Sequence, residues 1–364
     1  MHLISLKLKN FRNYKEAFFN FEKGFNLIIG PNTKGKTNLL EAIYFFIIFR
    51  SFRTKNLQNL IKNKEKEFGL EMDFQNQNTK EPKKLEFFLG LITDKLKKNF
   101  KINGVVKKQS QRSGEEFQAV LFRPEDLNLI IDSPSSRRSF LDSLLSRLNP
   151  GYHQALIEYR KVVQSRSRLL FLVREGRAEP KELNFWDKQF LRLAELIIEE
   201  RFKLLKEAAP VFKEQYQKIS QSEDVFDLDY HLSFKLKNDL KSSLKFSLDE
   251  LKAEEIEAAQ TLLGPHRDDL IFKLNNRNLK DFGSRGEQRS AILALKLAEL
   301  EVIKKKIEES PIFLLDDVLS ELDYDRQFAL LESLKDLQSI ITTTELDSLK
   351  NWLKENQANL IRLK

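Results

Sequence analysis

Residues 30–37 read Gly-Pro-Asn-Thr-Lys-Gly-Lys-Thr and lie between a short apolar run and a helical pattern. The run at 25–29 is typical of a buried strand that ends at glycine, and residues 38–43 place apolar side chains on one helix face. Gly30 and Gly35 permit the positive φ values that aim successive backbone N–H groups at one anion. The following helix N-terminus adds its dipole. This context predicts a phosphate-binding loop, and the alternative is a glycine turn before a core helix.

Such a loop assigns definite roles to its last residues. Lys36 is expected to reach the β- and γ-phosphates of ATP, and Thr37 is expected to hold Mg²⁺. The whole predicted ATP-binding set is Gly30, Pro31, Asn32, Thr33, Lys34, Gly35, Lys36, Thr37 and Asn38.

A second apolar run, 312–315, leads directly into Asp316 and Asp317. Burying a strand that ends in adjacent carboxylates is costly unless a cation or a proton compensates, and a Mg²⁺–nucleotide complex supplies that cation. Asp316 is therefore expected to orient the Mg²⁺ shell. Asp317 is expected to position the attacking water or to accept its proton, which makes Asp317 and Lys36 the predicted catalytic residues. The alternative is a surface aspartate pair after a core strand.

Residues 284–288 read Ser-Arg-Gly-Glu-Gln and precede an apolar helical pattern. Serine and glycine at a helix start can form an anion-binding nest, although both residue types also commonly cap helices. The segment gains meaning from its place in the chain, because it lies between the helical block and the Asp-Asp strand.

Composition sets wider limits. The chain of 364 residues is long enough for two domains, and it has no cysteine, which removes disulfides and thiolate zinc sites. The apolar stretch that includes 44–49 is too short to span a bilayer. The net charge of +8 favours an anionic partner but is weak by itself. The absence of cysteine fits a reducing cytoplasm, so we expect a cytoplasmic protein.

The pattern along the chain changes twice. Strand patterns prevail up to about residue 110, with a hairpin centred on Asn103-Gly104. Long amphipathic helices follow from Ser135 to about residue 220; Ser135 or Ser136 is expected to cap the first, and Pro210 to end or kink the last. Strand patterns then return. We predict an α/β nucleotide-binding domain in two halves, 1–130 and 223–364, interrupted by a helical arm at 131–222.

Basic residues cluster on or beside the predicted hairpin. They are expected to contact DNA phosphates, which gives affinity without sequence readout, and the alternative is a solvated face. The DNA-binding candidates are Lys97, Lys98, Lys107, Lys108 and Arg112.

The order of these motifs resembles that of ABC-type, SMC-like ATPases of chromosome maintenance, and most closely that of the RecF family of recombination-repair proteins. The resemblance covers essentially the whole chain. Its specific stretches are residues 9–14, 38–42, 51–54, 124–127, 133–142, 264–269 and 314–323.

The resemblance implies an ABC-type ATPase head, with a mixed sheet that carries the P-loop and an antiparallel lobe, and an inserted α-helical arm. It implies that Arg12 approaches the nucleotide phosphates. It also implies that Ser284, Gly286 and Gln288 form the signature motif, which contacts ATP held by a second subunit, and that Ser320 and Asp323 belong to the D-loop at that interface. Arg285 is bulky where small or polar residues are usual, and Glu287 stands where glutamine is commoner.

The resemblance further implies an ATP-dependent homodimer, weak DNA-stimulated ATP hydrolysis that acts as a switch, and binding to double-stranded DNA and to junctions of single and double strands. RecR is the implied partner, with RecO and RecA in the same pathway. The alternatives are a transporter ATPase subunit and a long-armed SMC-like structural protein. The helical block of about 85 residues is too short for long coiled-coil arms, since a helix of about 27 residues spans only about 40 Å.

Overall fold

The fold was analysed in a computed structural model that describes residues 1–76, 81–92, 95–107, 117–344, 352 and 355–363. These residues form two compact units. Unit 1 comprises residues 1–127, 218–221 and 292–364, and unit 2 comprises residues 128–217 and 222–291. The division into head and arm at residues 130 and 222 stays a prediction. None of the helices in the described part of the chain is long and apolar enough to cross a membrane.

The strands and helices have the following bounds. The strands are β1 (His2–Phe11), β2 (Tyr14–Asn20), β3 (Phe25–Ile29), β4 (Glu67–Gln75), β5 (Lys83–Ile92), β6 (Lys95–Ile102), β7 (Val105–Val106), β8 (Ala119–Phe122), β9 (Phe226–His231), β10 (Asp269–Leu274), β11 (Arg277–Asn278), β12 (Ile312–Asp316), β13 (Ser339–Thr343) and β14 (Asn359–Arg362). The helices are α1 (Lys36–Ile48), α2 (Pro134–Leu148), α3 (Pro150–Arg174), α4 (Leu183–Ser220), α5 (Leu240–Glu250), α6 (Lys252–Ala258), α7 (Leu279–Phe282), α8 (Arg285–Ile307) and α9 (Tyr324–Ser333).

The first sheet of unit 1 has the strand order β14-β3-β13-β12-β8, and each of these pairings is parallel. Every residue of β12 and β13 is buried, as expected for strands covered on both faces. Because parallel strands end at the same edge, the loop after β3 and the carboxylates at the end of β12 lie together. This edge carries the candidate site.

The second sheet of unit 1 has the order β2-β1-β4-β5-β6-β7 and is antiparallel. Burial alternates along β4, where every second side chain from Phe68 to Phe74 lies in the core. Phenylalanines of α1 and this sheet pack edge to face, with Phe45 and Phe87 ring centroids 4.6 Å apart. The predicted hairpin is present: Ile102 pairs with Val105, and Asn103 and Gly104 have φ values of 49° and 78°.

Unit 2 contains the long helices and the sheet β11-β10-β9. Buried arginines connect its elements, because Arg166 pairs with Glu255 at 2.5 Å and Arg201 with Asp142 at 2.7 Å. The prediction that Ser135 or Ser136 caps the first helix is wrong, since α2 begins at Pro134 after Ser133. Proline is well tolerated at the first helical position, where its missing N–H is not needed.

The prediction that Pro210 ends or kinks its helix is wrong as regards the helix end, and a kink there stays a prediction. Helix α4 continues through Pro210 to Ser220. Apolar side chains on both sides of the proline, including Leu205, Phe212 and Tyr216, are buried. Their burial outweighs the one backbone hydrogen bond that proline removes.

Candidate nucleotide site

The loop between β3 and α1 has the open form of an anion cradle. Residues 31–34 are exposed, whereas Lys36 is buried and its Nζ donates to the carbonyl oxygens of Gly30 at 2.6 Å and Pro31 at 3.4 Å. Gly35 has the expected positive φ, 103°, but the expectation for Gly30 is wrong, and the other positive φ in the loop, 74°, belongs to Thr33. The ammonium group is therefore held across the mouth of the loop, next to the start of α1, where a bound anion would meet both the charge and the helix dipole.

Two side chains from the β1–β2 turn clamp this loop. Asn13 Nδ2 donates to the Lys34 carbonyl, and the Tyr14 hydroxyl donates to the Gly35 carbonyl, each at 3.1 Å. A Cβ at Gly35 would lie 2.6–2.9 Å from these side chains, so glycine is required for space as well as for φ. Burial raises the pKa of Tyr14, which keeps its hydroxyl protonated as a donor.

Thr37 and Asp316 meet although they are far apart in the chain. The Thr37 hydroxyl donates to Asp316 Oδ1 at 3.0 Å, and the Thr342 hydroxyl donates to the same atom at 2.9 Å. Burial raises the pKa of Asp316, and the nearby carboxylate of Asp317 raises it further, although the two hydroxyl donors partly oppose this. A hydroxyl and a carboxylate side by side are typical ligands of a nucleotide-bound Mg²⁺.

Asp317 adopts a left-handed conformation with φ of 53°. Its backbone N–H donates to the carbonyl and hydroxyl oxygens of Thr342 at 3.2 and 3.0 Å. Its Oδ1 atom is buried and has no hydrogen-bond partner among the described residues. A buried acceptor of this kind is costly, so the geometry favours a group that binds water or a ligand. Thr342, which fixes both aspartates, was not among the predicted site residues.

Arg12 is half-buried, and neighbouring residues hold its guanidinium. Its guanidinium forms two hydrogen bonds with the fully buried carboxylate of Glu41, at 2.7 and 2.8 Å, and donates to the Asn59 carbonyl at 2.9 Å. The Ser51 hydroxyl also donates to Glu41. Glu41 and Ser51 belong to the stretches 38–42 and 51–54 that carry the family resemblance, and no role in the site was predicted for either residue. The approach of Arg12 to a nucleotide stays a prediction.

Asn38, the last residue of the predicted ATP-binding set, lies in a chain of polar contacts at the loop. It accepts a hydrogen bond from the Arg53 guanidinium at 2.7 Å and donates to Asn13 Oδ1 at 2.8 Å. Through Asn13 this chain reaches the Lys34 carbonyl. Arg53 therefore places a cation near the loop, a contact that sequence spacing alone does not reveal.

The segment after Asp317 turns back on itself. The Ser320 hydroxyl donates to the Asp317 carbonyl at 2.8 Å, and Asp323 caps α9 by accepting from the Arg326 backbone N–H at 3.0 Å. Ser320 and Asp323 are both exposed. Their predicted place in a subunit interface is not tested by these contacts.

In unit 2, residues 284–288 begin α8 with a capping box. The Ser284 backbone N–H donates to Glu287 Oε2 at 2.6 Å, and the Glu287 N–H donates to the Ser284 hydroxyl oxygen at 3.3 Å. Gln288 Nε2 donates to the carbonyls of Leu279 and Gly283 at 3.0 and 3.3 Å. Gly286 lies in the first turn of α8. Ser284 is exposed, with its hydroxyl at the helix start.

The DNA-binding candidates divide into two groups. Lys97 and Lys98 on β6 and Lys107 after β7 are exposed near the edge of the antiparallel sheet. Lys108 and Arg112 lie outside the described residues. In the described part of the chain, no cluster of three or more His, Asp or Glu side chains could hold a metal by itself.

Known proteins resemble this chain over its full length. Residues 2–360 match the family described as RecF/RecN/SMC N terminal domain. The DNA replication and repair protein RecF of Clostridium tetani (strain Massachusetts / E88) is 38% identical over 368 residues, which cover 100% of this chain and 98% of the relative. The protein of the same name from Streptococcus gordonii is 37% identical, with 98% of this chain and 97% of the relative covered.

Solved structures agree with these relatives. A structure of the recombination mediator protein RecF-ATPrS in the RecFOR pathway has a TM-score of 0.87 and 32% identity, covering 95% of this chain and 93% of that one. An Smc head bound to the C-winged helix domain of ScpA has a TM-score of 0.53 at 19% identity, covering 96% and 92%, and supports the fold alone. The predicted ABC-type ATPase fold is confirmed. The chain belongs to the RecF family of DNA replication and repair proteins.

Proposed function

We propose that this protein is an ATP-gated, DNA-binding homodimer of replication and recombinational repair. In this proposal it binds double-stranded DNA and gap junctions, hydrolyses ATP slowly with stimulation by DNA, and helps to load RecA together with RecR and RecO. Association with the nucleoid follows from DNA binding. Relatives named for replication and repair, and solved relatives named for their complexes with ATP and for the RecFOR pathway, support this proposal.

One observation carries the proposal. The Thr37 hydroxyl and the Asp316 carboxylate, 279 positions apart in the chain, lie 3.0 Å apart, and the buried ammonium of the preceding Lys36 is held by the loop carbonyls of Gly30 and Pro31. These are the groups that a Mg²⁺–ATP complex requires: one hydroxyl and one carboxylate for the metal shell and one cation for the β- and γ-phosphates. Residues 30–35 and the start of α1 would supply the backbone N–H groups for the remaining phosphate oxygens.

Asp317 is assigned to the attacking water. It follows the Mg²⁺ carboxylate directly, and its buried Oδ1 has no partner among the described residues. In the proposal this carboxylate positions the water or accepts its proton. The chemistry of such a site depends mainly on electrostatics and on the position of the water. A role of Asp317 in positioning that water is consistent with slow ATP hydrolysis.

The switch depends on the γ-phosphate. In the proposed dimer, Ser284 and Gly286 of one copy contact the γ-phosphate held by the cradle of the other copy, and Ser320 and Asp323 line the same interface. ADP lacks the γ-phosphate. Only ATP can therefore make contacts in the dimer that it does not make in the monomer. Such differential contact is the condition for a nucleotide to shift an equilibrium between two states.

An Asp317→Asn variant tests the proposal by sedimentation. The substitution should slow hydrolysis while ATP binding is retained, so the variant should form a dimer in ATP and remain a monomer in ADP. The second variant Lys36→Ala, Asp317→Asn is the matched control and should remain a monomer in both nucleotides, because its cradle lacks the phosphate-binding ammonium. A monomeric Asp317→Asn protein at saturating ATP would refute the proposed dimer.

A further inference from the structure

The chain carries opposite charges on the two exposed segments that the proposed dimer brings together. The acidic segment, residues 321–325, contains Glu321, Asp323 and Asp325 at the start of α9. The signature segment, residues 284–289, begins α8 with the exposed Arg285. Opposite charges on two exposed segments of one chain favour association of that chain with a second copy of itself.

The charged residues of the two segments differ in whether they already have a partner within the same copy. Glu287 accepts the Ser284 N–H at 2.6 Å, so its charge is directed back into its own helix start. Asp323 is engaged in a similar way, because it caps α9 and pairs with Arg326. Asp325 is exposed in the first turn of α9, and Arg285 is exposed at the first residue of α8. These two residues are the most available charges of opposite sign on the two segments.

Exposed aromatic side chains lie within three positions of both charges in the sequence. Phe282 is 73% exposed, the highest value among the large hydrophobic side chains of the described residues, and it lies three positions before Arg285. Tyr324 and Phe328 are 64% and 45% exposed, and their rings stack with centroids 6.5 Å apart. Phe328 follows Asp325 by three positions, which places the two side chains next to each other on the helix surface. Aromatic groups beside a charge are typical of a protein interface.

We propose that Arg285 of one copy pairs with Asp325 of a second copy, with Phe282 of the first packed near Tyr324 and Phe328 of the second. This inference rests on the ATP-dependent dimer of the proposed function and names the contact that makes it specific for this chain. A two-fold axis repeats the pair, so each substitution acts twice in one dimer. Covering the three aromatic side chains would also lower the apolar area exposed to water.

Charge exchange in the Asp317→Asn background tests the pair by sedimentation in ATP, without DNA, at low salt. Arg285→Glu and Asp325→Arg should each raise the dimer dissociation constant by about tenfold, because each places like charges together at two positions. The double exchange Arg285→Glu, Asp325→Arg should restore the constant to within about threefold. At about 0.5 M salt the differences should shrink, since exposed charges are then screened.

Lys245→Glu is the matched control. Lys245 is exposed on α5 of unit 2, and its substitution makes the same change of charge away from the signature segment. It should leave the dissociation constant unchanged. If the double exchange dimerises no better than the single variants while the background protein forms a dimer, the pairing is wrong and the dimer stands. If the background protein does not form a dimer in ATP, the proposed function itself fails.

Discussion

At the scale of single residues, the charged form of Asp316 is disfavoured by some neighbours and stabilised by others. Burial and the adjacent Asp317 disfavour its charge, whereas hydroxyl donors from Thr37 and Thr342 stabilise it. The result is a pKa above the ordinary aspartate value. A divalent cation would remove this penalty, because it offers the carboxylate a direct positive partner. In the proposed Mg²⁺–ATP complex, the ionised form of Asp316 would therefore be favoured.

The first prediction concerns the pH dependence of this binding. Mg²⁺ needs the ionised carboxylate, so the Mg²⁺-dependent part of ATP affinity should fall as pH decreases through the raised pKa of Asp316, at a higher pH than for an ordinary aspartate. Titration of a fluorescent ATP analogue at several pH values, with and without Mg²⁺, measures this. Asp316→Asn should bind the analogue weakly and without the Mg²⁺-dependent pH step. A wild-type midpoint at the ordinary aspartate value would contradict the prediction.

Single residues of the candidate site also differ in whether the sequence alone can predict them. Lys36, Thr37, Asp316 and Asp317 stand next to strand and helix patterns, so local order was enough to predict their positions at the start of α1 and the end of β12. Contacts that depend on distant segments were not predictable in this way. Asn13 and Tyr14 clamp Gly35 from another turn. Thr342 and Glu41 act through the neighbours that folding gives them.

At the scale of elements, the pattern of prediction is similar. The Asn103-Gly104 hairpin was predicted because its turn chemistry is local. The helix end predicted at Pro210 is absent because the local cost of the proline is outweighed by burial along α4. The stretch 264–269, one of those that carry the family resemblance, has a structural explanation within unit 2. Gly264 has φ of 110°, and a Cβ there would lie 2.8 Å from Phe190 and from the Tyr159 hydroxyl.

His266 and Asp268 continue this network in unit 2. The Tyr159 hydroxyl lies 2.6 Å from His266 Nδ1, and His266 Nε2 lies 3.2 Å from the Thr261 carbonyl oxygen. Asp268 accepts hydrogen bonds from the Tyr230 hydroxyl at 2.9 Å and from Ser233. Burial lowers the pKa of His266 to about 4. The histidine is therefore a neutral structural residue that joins α3 to the start of β10.

The second prediction follows from this lowered pKa. The unfolded chain binds the proton more readily than the folded chain, so stability from neutral His266 is complete above about pH 6.5 and is lost as pH falls toward about 4. The contribution of neutral His266 to the free energy of unfolding is about 3 kcal/mol in total. Urea unfolding between pH 7 and pH 5 should show a shallower pH slope for His266→Gln than for the wild type. Equal slopes for His266→Gln and wild type would exclude this role.

At the scale of the whole molecule, charge and nucleotide state act together. The chain has a net charge of +8, and Lys97, Lys98 and Lys107 expose part of it near one sheet edge. A single copy of such a surface gives weak, sequence-independent contact with DNA phosphates. A two-fold dimer presents the surface twice on one particle. ATP would then control DNA affinity through the number of phosphates contacted, without any change in the surface itself.

The last prediction measures that number. The logarithm of DNA affinity falls linearly with the logarithm of salt concentration, with a slope of about −0.9 per phosphate contact. The slope should therefore be about twice as steep in ATP as in ADP, because the ATP form has twice the contacts. Lys97→Ala combined with Lys98→Ala should reduce the slope in both nucleotides, whereas Lys241→Ala combined with Lys245→Ala, at exposed positions on α5, should not. Equal slopes in ATP and ADP would show that DNA contacts one copy in both states, and the nucleotide would then have to act on DNA by another route than dimerisation.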